Sequence, residues 1–248
     1  MPKKAPPSPS NGPFPRLLRR LGRVVLMLLL VFLLLSVGAV ALFRWLPPPA
    51  SSLMVQQYWQ QWWQGDTGVI AYHWVPLERI APQMALAVVA AEDQKFPRHW
   101  GFDLDSIRQA LVERIAGGPL RGASTISQQV AKNLYLWPGR SLLRKGLEAW
   151  FTLLIEGLWT KERILEVYLN IVELDRHVFG VEAASRQFFS KPASQLDRRE
   201  AALLAAVLPN PILYRVEAPS QRVLRRQGWI LKQMANLGPD YLDNLAME

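Results

Sequence analysis

A mostly α-helical domain behind a single N-terminal transmembrane helix is the fold class this sequence predicts, and three observations predict it. Residues 24–43, from Val24 to Phe43, carry no charged side chain. From about residue 83 onward, apolar residues recur at helical spacing in segments that open behind Pro, Ser, Thr or Asp and stop at Gly or Pro. Strand-like alternation is weak throughout, with Gly68–His73 as the one candidate.

The apolar run comes first. Twenty residues at helical rise extend roughly 30 Å, the thickness of one hydrocarbon core. Lys3, Lys4, Arg16, Arg19, Arg20 and Arg23 precede it with no acid among them. The positive-inside tendency therefore assigns residues 1–23 to the cytoplasm and everything after Arg44 to the far side of the membrane. A cleaved signal peptide is the competing reading. It fits less well, because the run exceeds an ordinary signal core and Leu46-Pro-Pro-Pro-Ala50 is a poor cleavage site. Pro6–Pro15 is too rich in Pro, Ser and Gly to pack, so residues 1–23 read as a basic, disordered tail.

That tail accounts for much of the charge. The chain holds 29 basic and 20 acidic residues, for a net charge of +9. Six of the basic ones precede the span, and the rest of the chain is nearly balanced. The surplus is thus a topology signal and does not point to nucleic acid as a partner. The chain has no cysteine, which excludes disulfides, thiolate metal sites and cysteine nucleophiles. Its three histidines, His73, His99 and His177, have no metalloprotease spacing.

Beyond the span, residues 44–66 form a Pro- and Trp-rich juxtamembrane segment containing Pro47-Pro-Pro49 and Gln56-Gln-Tyr-Trp-Gln-Gln-Trp-Trp-Gln64. Its aromatics suit either an interfacial belt or an amphipathic helix packed on the domain, and the sequence does not separate the two. Residues 67–248 are enough for one domain with a sizeable core. Within them Pro82 opens a helix over 83–93. A second runs from Asp103 to Ile115 and is closed by Gly117-Gly118. Ser124 can cap a third, reaching about Leu136 before Pro138. A long fourth spans 141–158, and Thr160 caps a fifth over 161–174. Asp197-Arg-Arg-Glu200 has capping-box spacing ahead of Ala201–Leu208. Ser220 opens a last helix toward Gly238.

Several polar groups do not suit a plain helical bundle. Glu92 and Asp93 end the apolar run Met84–Ala91. Burial disfavours charged carboxylates, and a carboxylate delivered from a packed helix to a cleft is how a general base is made. The alternative is that Glu92 only ends the helix and pairs with Lys95 or Arg98. Helical spacing puts Thr125, Gln128, Gln129 and Lys132 on neighbouring ridges, a strip suited to a substrate with hydroxyls and a phosphate, or else an exposed polar face. Arg140 follows in a short loop. In Arg144-Lys-Gly-Leu-Glu148 one carboxylate stands four and three residues after two cations. That spacing makes either a surface ion pair or a basic cluster suited to a diphosphate. Lys161–Asn170 looks structural, with Asn170 as its one unexplained polar end.

Taken together, these motifs resemble the peptidoglycan glycosyltransferases that polymerise lipid II, and most closely their monofunctional biosynthetic branch. Glu92-Asp-Gln-Lys-Phe-Pro-Arg-His-Trp-Gly-Phe-Asp103, Gly122–Leu134 with its Ser-Thr-x-x-Gln-Gln core, and Arg144-Lys-x-x-Glu148 carry the resemblance. Lys161-x-x-Ile-Leu-x-x-Tyr-Leu-Asn170 and Gly180–Phe189 continue it in order, so it covers roughly residues 70–235. Ala123, Ser127 and Val130 depart from the family's usual Gly, Thr and Leu, and Ala123 stands where a turn could need a glycine.

The resemblance implies a lysozyme-like helical fold with a membrane-facing lobe. The growing glycan on undecaprenyl diphosphate would be the donor and the GlcNAc 4-hydroxyl of lipid II the acceptor, with inversion to a β-1,4 link. Glu92 falls at the position of the family's base. Lys132 and Arg140 fall at its diphosphate-contacting positions. Glu148, the second carboxylate, would orient the basic cluster or hold a metal. Ser124, Thr125, Asp93, Gln128, Gln129, Arg144 and Lys145 complete the substrate-binding set, several of them as positioning residues. No covalently held cofactor is implied, and a divalent cation (Mg or Mn) could assist the diphosphate. The implied setting is a bacterial inner membrane, with other cell-wall synthesis or division proteins as further partners. No transpeptidase signature occurs, and the chain is too short to hold that module as well. A lysozyme-like lytic enzyme and a non-catalytic anchored scaffold are the rivals. Neither needs the cations gathered around a diphosphate.

Overall fold

The structure is a computed structural model that describes residues 13–65, 68–117, 124–139, 141–243 and 245. Arg140, Gly122, Ala123 and the first twelve residues of the tail lie outside the described residues. The helix α1 (Pro13–Phe43) contains a stretch, Leu17–Phe43, long and apolar enough to cross a membrane. It starts inside the expected disordered tail. Pro13 suits a first helical turn, and the four arginines that follow are good helix formers that extend the span's helix backward. The described part of the tail is therefore helical and not disordered.

Ten helices, counted among the described residues, make up most of the fold. After α1 come α2 (Ser52–Gln64), α3 (Pro82–Glu92), α4 (Leu104–Ile115), α5 (Ile126–Tyr135) and α6 (Leu142–Leu158). Then follow α7 (Lys161–Ile171), α8 (Val181–Phe189), α9 (Arg198–Val207) and α10 (Gln221–Leu237). Side-chain caps set most of the starts: Ser51, Asp103, Thr125, Ser141, Thr160, Asp197 and Ser220 each accept a backbone N–H of the first turn.

The helices pack in two groups. In one, α3 lies against α9 and α10; in the other, α5 lies against α6 and α7. Met84, Ala87, Val88, Val89 and Ala90 are fully buried, which is what a helix apolar on every side predicts for itself. The outer part of α1 docks along α6. There Trp150 Nε1 donates to Ser36 Oγ at 3.2 Å and Trp159 Nε1 to the Val40 carbonyl at 2.7 Å.

A small sheet joins the groups. Strand β1 (Ala71–Tyr72) runs parallel to β3 (Val178–Phe179), and β2 (Glu173–Asp175) pairs with β3 antiparallel. The expected helix over 161–174 therefore ends three residues early, because Glu173–Asp175 turns into this hairpin. Gly180 follows β3 with φ +81°, and a Cβ there would stand 2.4 Å from the Asn170 carbonyl oxygen. Asn170 itself is explained: its amide donates to the Val75 and Glu166 carbonyls and accepts from the Val75 N–H. It ties α7 to the strand region and is structural.

Candidate active site

Glu92 is the last residue of α3, so a helix buried from Met84 to Ala90 delivers it to a point that both helix groups reach, through α5 and α10. Its side chain is 16 % exposed, enough to be reached and too little to be freely solvated. From α5, Gln129 Nε2 donates to Glu92 Oε2 at 3.1 Å. From α10, Arg226 donates to Glu92 Oε1 at 3.1 Å and to the Ala91 carbonyl at 3.3 Å. The buried Tyr168 of α7 donates its hydroxyl to Gln129 Oε1 at 3.2 Å. Since that bond occupies the amide oxygen, the Gln129 nitrogen is committed to Glu92. Burial pushes the Glu92 carboxyl above the usual carboxylate range. The Gln129 bond, the Arg226 guanidinium and the Lys132 charge each pull back part of the rise. The alternative pairing with Lys95 or Arg98 is not seen: Lys95 turns to Asp103 and Asp105.

Asp93 plays a different part from its neighbour. It is buried, accepts His99 Nε2 at 2.9 Å, and accepts the Ile126 N–H at 3.0 Å. It thus holds the start of α5 against the loop that follows α3. Gly101 belongs to the same loop. With φ +75°, it approaches α6 so closely that a Cβ would lie 2.6 Å from Thr152 Cγ2. Lys161 secures the loop from below, donating to the His99 carbonyl at 2.6 Å and to Glu156 Oε1 at 2.8 Å.

The start of α5 corrects the expected helix cap. Thr125, not Ser124, is the cap. Its Oγ1 accepts the Gln128 N–H and donates to the Gly101 carbonyl, while Gln128 Oε1 accepts the Thr125 N–H. Both side chains are largely buried and joined in this reciprocal box, which positions α5. Ser124 is exposed at the rim of a cleft of about 490 Å³ that Glu92, Asp103 and Trp229 also line. Gln129 and Lys132 are the members of the strip that face the carboxylates.

The second carboxylate has another setting. Glu148, on α6, is buried and is met by two cations of its own helix, Arg144 at 3.4 Å and Lys145 on its other oxygen. Lys132 stands between the two acids. Desolvation pushes its ammonium below the ordinary lysine value, Glu148 and then Glu92 pull it up, and Arg144 and Lys145 push it down. Both Glu148 oxygens are thus engaged, and the described residues contain no group of three metal-ligating side chains. The described residues therefore do not form a cation cage.

Arg226, Tyr168 and Trp229 are the site residues that sequence reasoning missed. The signal available for Arg226 was modest: Arg222, Arg225 and Arg226 share one side of an amphipathic helix.

The transglycosylase family model matches residues 66–235 of this chain. The chain is 52% identical over 230 residues to a biosynthetic peptidoglycan transglycosylase of Pseudomonas fluorescens, covering 92% of this chain and 96% of the relative. It is 53% identical over 232 residues to that of Pseudomonas putida GB-1, covering 93% and 97%. A third relative of the same description, from Pectobacterium carotovorum, is 54% identical over 226 residues, covering 90% and 93%.

Proposed function

We infer the reaction from a plain premise: the chain belongs to the transglycosylase family. It is a glycosyltransferase that polymerises the glycan chains of peptidoglycan, with lipid II and lipid-linked glycan as its substrates. The donor is the growing glycan on its undecaprenyl diphosphate. The 4-hydroxyl oxygen of the acceptor GlcNAc attacks the donor's anomeric carbon from the face opposite the diphosphate. The new C–O bond forms as the C–O bond to diphosphate breaks, so the configuration inverts to β-1,4.

Glu92 takes the proton of the attacking hydroxyl. The observation that carries this role is its placement: a partly buried carboxylate, raised in pKa, whose two oxygens are oriented by Gln129 and Arg226. The departing diphosphate needs charge stabilisation and no proton. Lys132 supplies it, and Arg144 and Lys145, gathered by Glu148, line the same side. Arg140 joins them on the strength of its position in the family motif. Any divalent-cation requirement is assigned to the substrate's diphosphate, whose oxygens bind such ions without a protein cage.

The apolar helix anchors the chain in a membrane. The arginines before it support a cytoplasmic N-terminus, which puts the domain on the periplasmic side of an inner membrane, beside lipid-borne substrate. The test is to incubate the full chain with purified lipid II and resolve the products on a gel. A ladder of glycan that a muramidase digests is the expected result. Degradation of preformed glycan with no ladder would overturn the reading in favour of a lytic enzyme. A well-folded chain with neither activity would overturn it in favour of a scaffold.

A further inference from the structure

Helix α2 turns its polar side inward and its aromatic side outward. Toward the domain, Gln57 Nε2 donates to Glu173 Oε1 at 2.7 Å, Gln61 Nε2 lies 3.1 Å from the His177 ring, and Met54 and Gln61 are buried. Away from it, Val55, Tyr58, Trp59, Trp62 and Trp63 recur at helical spacing and are 53–76 % exposed. The three indoles form one patch, with ring centroids 5.1 Å apart for Trp59–Trp62 and 5.4 Å for Trp62–Trp63. No charged residue occurs in α2. A soluble surface helix has the opposite arrangement, because its apolar stripe drives its packing. An outward aromatic stripe of this kind marks an interaction surface.

The path of the chain says what meets it. Residues 44–51 alone separate α1 from α2, and the two ends of that connection return to one place. The Phe43 ring lies 6.4 Å from the Tyr135 ring, and Ser52 Oγ donates to the Asn133 carbonyl at 2.9 Å and to that of Leu136, next to Tyr135. Arg163 pins the connection by donating to the Phe43 and Leu46 carbonyls. The start of α2 is therefore fixed beside the point where the apolar span ends. Trp and Tyr with an apolar body and one hydrogen-bonding edge are the side chains suited to the headgroup level of a bilayer. A helix lying in that plane needs a large apolar face and few charges beneath it.

We propose that α2 lies in the headgroup layer of the membrane that α1 crosses, with Trp59, Trp62 and Trp63 in the lipid interface, as a second contact that sets the domain's tilt over its substrate. A single helix anchors the domain without fixing its orientation. A second contact a few residues away supplies that constraint, with Gln57 and Gln61 transmitting it to the sheet. The proposal rests on α1 being a membrane anchor, so its test carries a control for that reading.

The absence of cysteine allows clean single-site labelling. The full chain would be reconstituted in nanodiscs of phosphatidylethanolamine and phosphatidylglycerol, with a nitroxide at W62C, at L30C on the lipid-exposed side of α1, or at R199C on the exposed start of α9. Power saturation with oxygen and with a water-soluble nickel chelate then reads each environment. The expected result is oxygen-dominated relaxation at L30C, nickel-dominated relaxation at R199C, and W62C between them at shallow depth. Nickel dominance at W62C with L30C in lipid would overturn the proposal and leave the anchor standing. Mutual spin broadening at W62C would overturn it in favour of a second copy. Nickel access at L30C would overturn the anchor and the proposal together. Exchanging all three tryptophans for serine should slow polymerisation several-fold in nanodiscs and leave it unchanged in detergent, where no plane exists to orient against. Unchanged activity in both would overturn the orienting role.

Discussion

Glu92 and Glu148 are both largely buried carboxylates, and Lys132 lies within electrostatic reach of each, yet their surroundings differ in kind. Glu148 is closed in by Arg144 and Lys145, four and three residues away on its own helix. Its contacts are local and both its oxygens are occupied by full positive charges. Glu92 has no partner within its own helix. It is oriented by an amide from α5 and a guanidinium from α10, and burial raises its carboxyl above the ordinary range despite both. A carboxylate bracketed by two cations of its own helix is a good organiser of positive charge. One oriented by distant elements, with its carboxyl raised above the ordinary range by burial, is suited to accept a proton. The difference teaches which acid does which task.

Substitutions can break this comparison at each of its parts. Glu92→Gln keeps the shape and the Gln129 contact but removes the proton acceptor, and kcat for lipid II polymerisation should fall by roughly a thousandfold or more. Glu148→Gln leaves that acceptor in place, so a comparable collapse there would contradict the assigned roles. Lys132→Met keeps the aliphatic stem and removes the charge beside the leaving diphosphate; kcat should fall about a hundredfold, with KM changing less. The smallest effect belongs to the support beneath both acids. Thr125→Val deletes the cap of α5 and its bond to Gly101, and should cost about 1 kcal/mol, or a few degrees of Tm, with kcat nearly preserved.

The helices were legible because their signals are local. Asp103, Ser141, Thr160, Asp197 and Ser220 cap the helices the sequence assigns to them, and Gly238 closes the last. Of the strands only β1 was, inside the Gly68–His73 candidate; two- and three-residue strands such as β3 and β2 are too short to show alternation. Glu92 could be singled out because an acid ends an otherwise apolar helix. Its partner Arg226 could not: it is 134 residues away on α10, and only tertiary packing brings it there. The inner bonding of the polar strip on α5 was hidden for a related reason. Helical spacing places Thr125, Gln128, Gln129 and Lys132 near one another. It does not reveal that the first two bond reciprocally and face inward. In the juxtamembrane segment, both sequence readings describe part of the same helix: α2 packs on the domain and also presents its tryptophans outward.

The most direct test of the division of labour is kcat/KM against pH for the wild type, Arg226→Met and Glu148→Gln. A general base works only when deprotonated, so activity falls as pH drops through its pKa. The Arg226 charge lowers that pKa, and its removal raises it, which should carry the acid limb to higher pH in Arg226→Met. The Glu148 oxygens are turned to Arg144 and Lys145 and not to Glu92, so Glu148→Gln should lower the plateau and leave the limb where it is. A limb that moves with Glu148 and ignores Arg226 would contradict the account and give the proton to the other carboxylate.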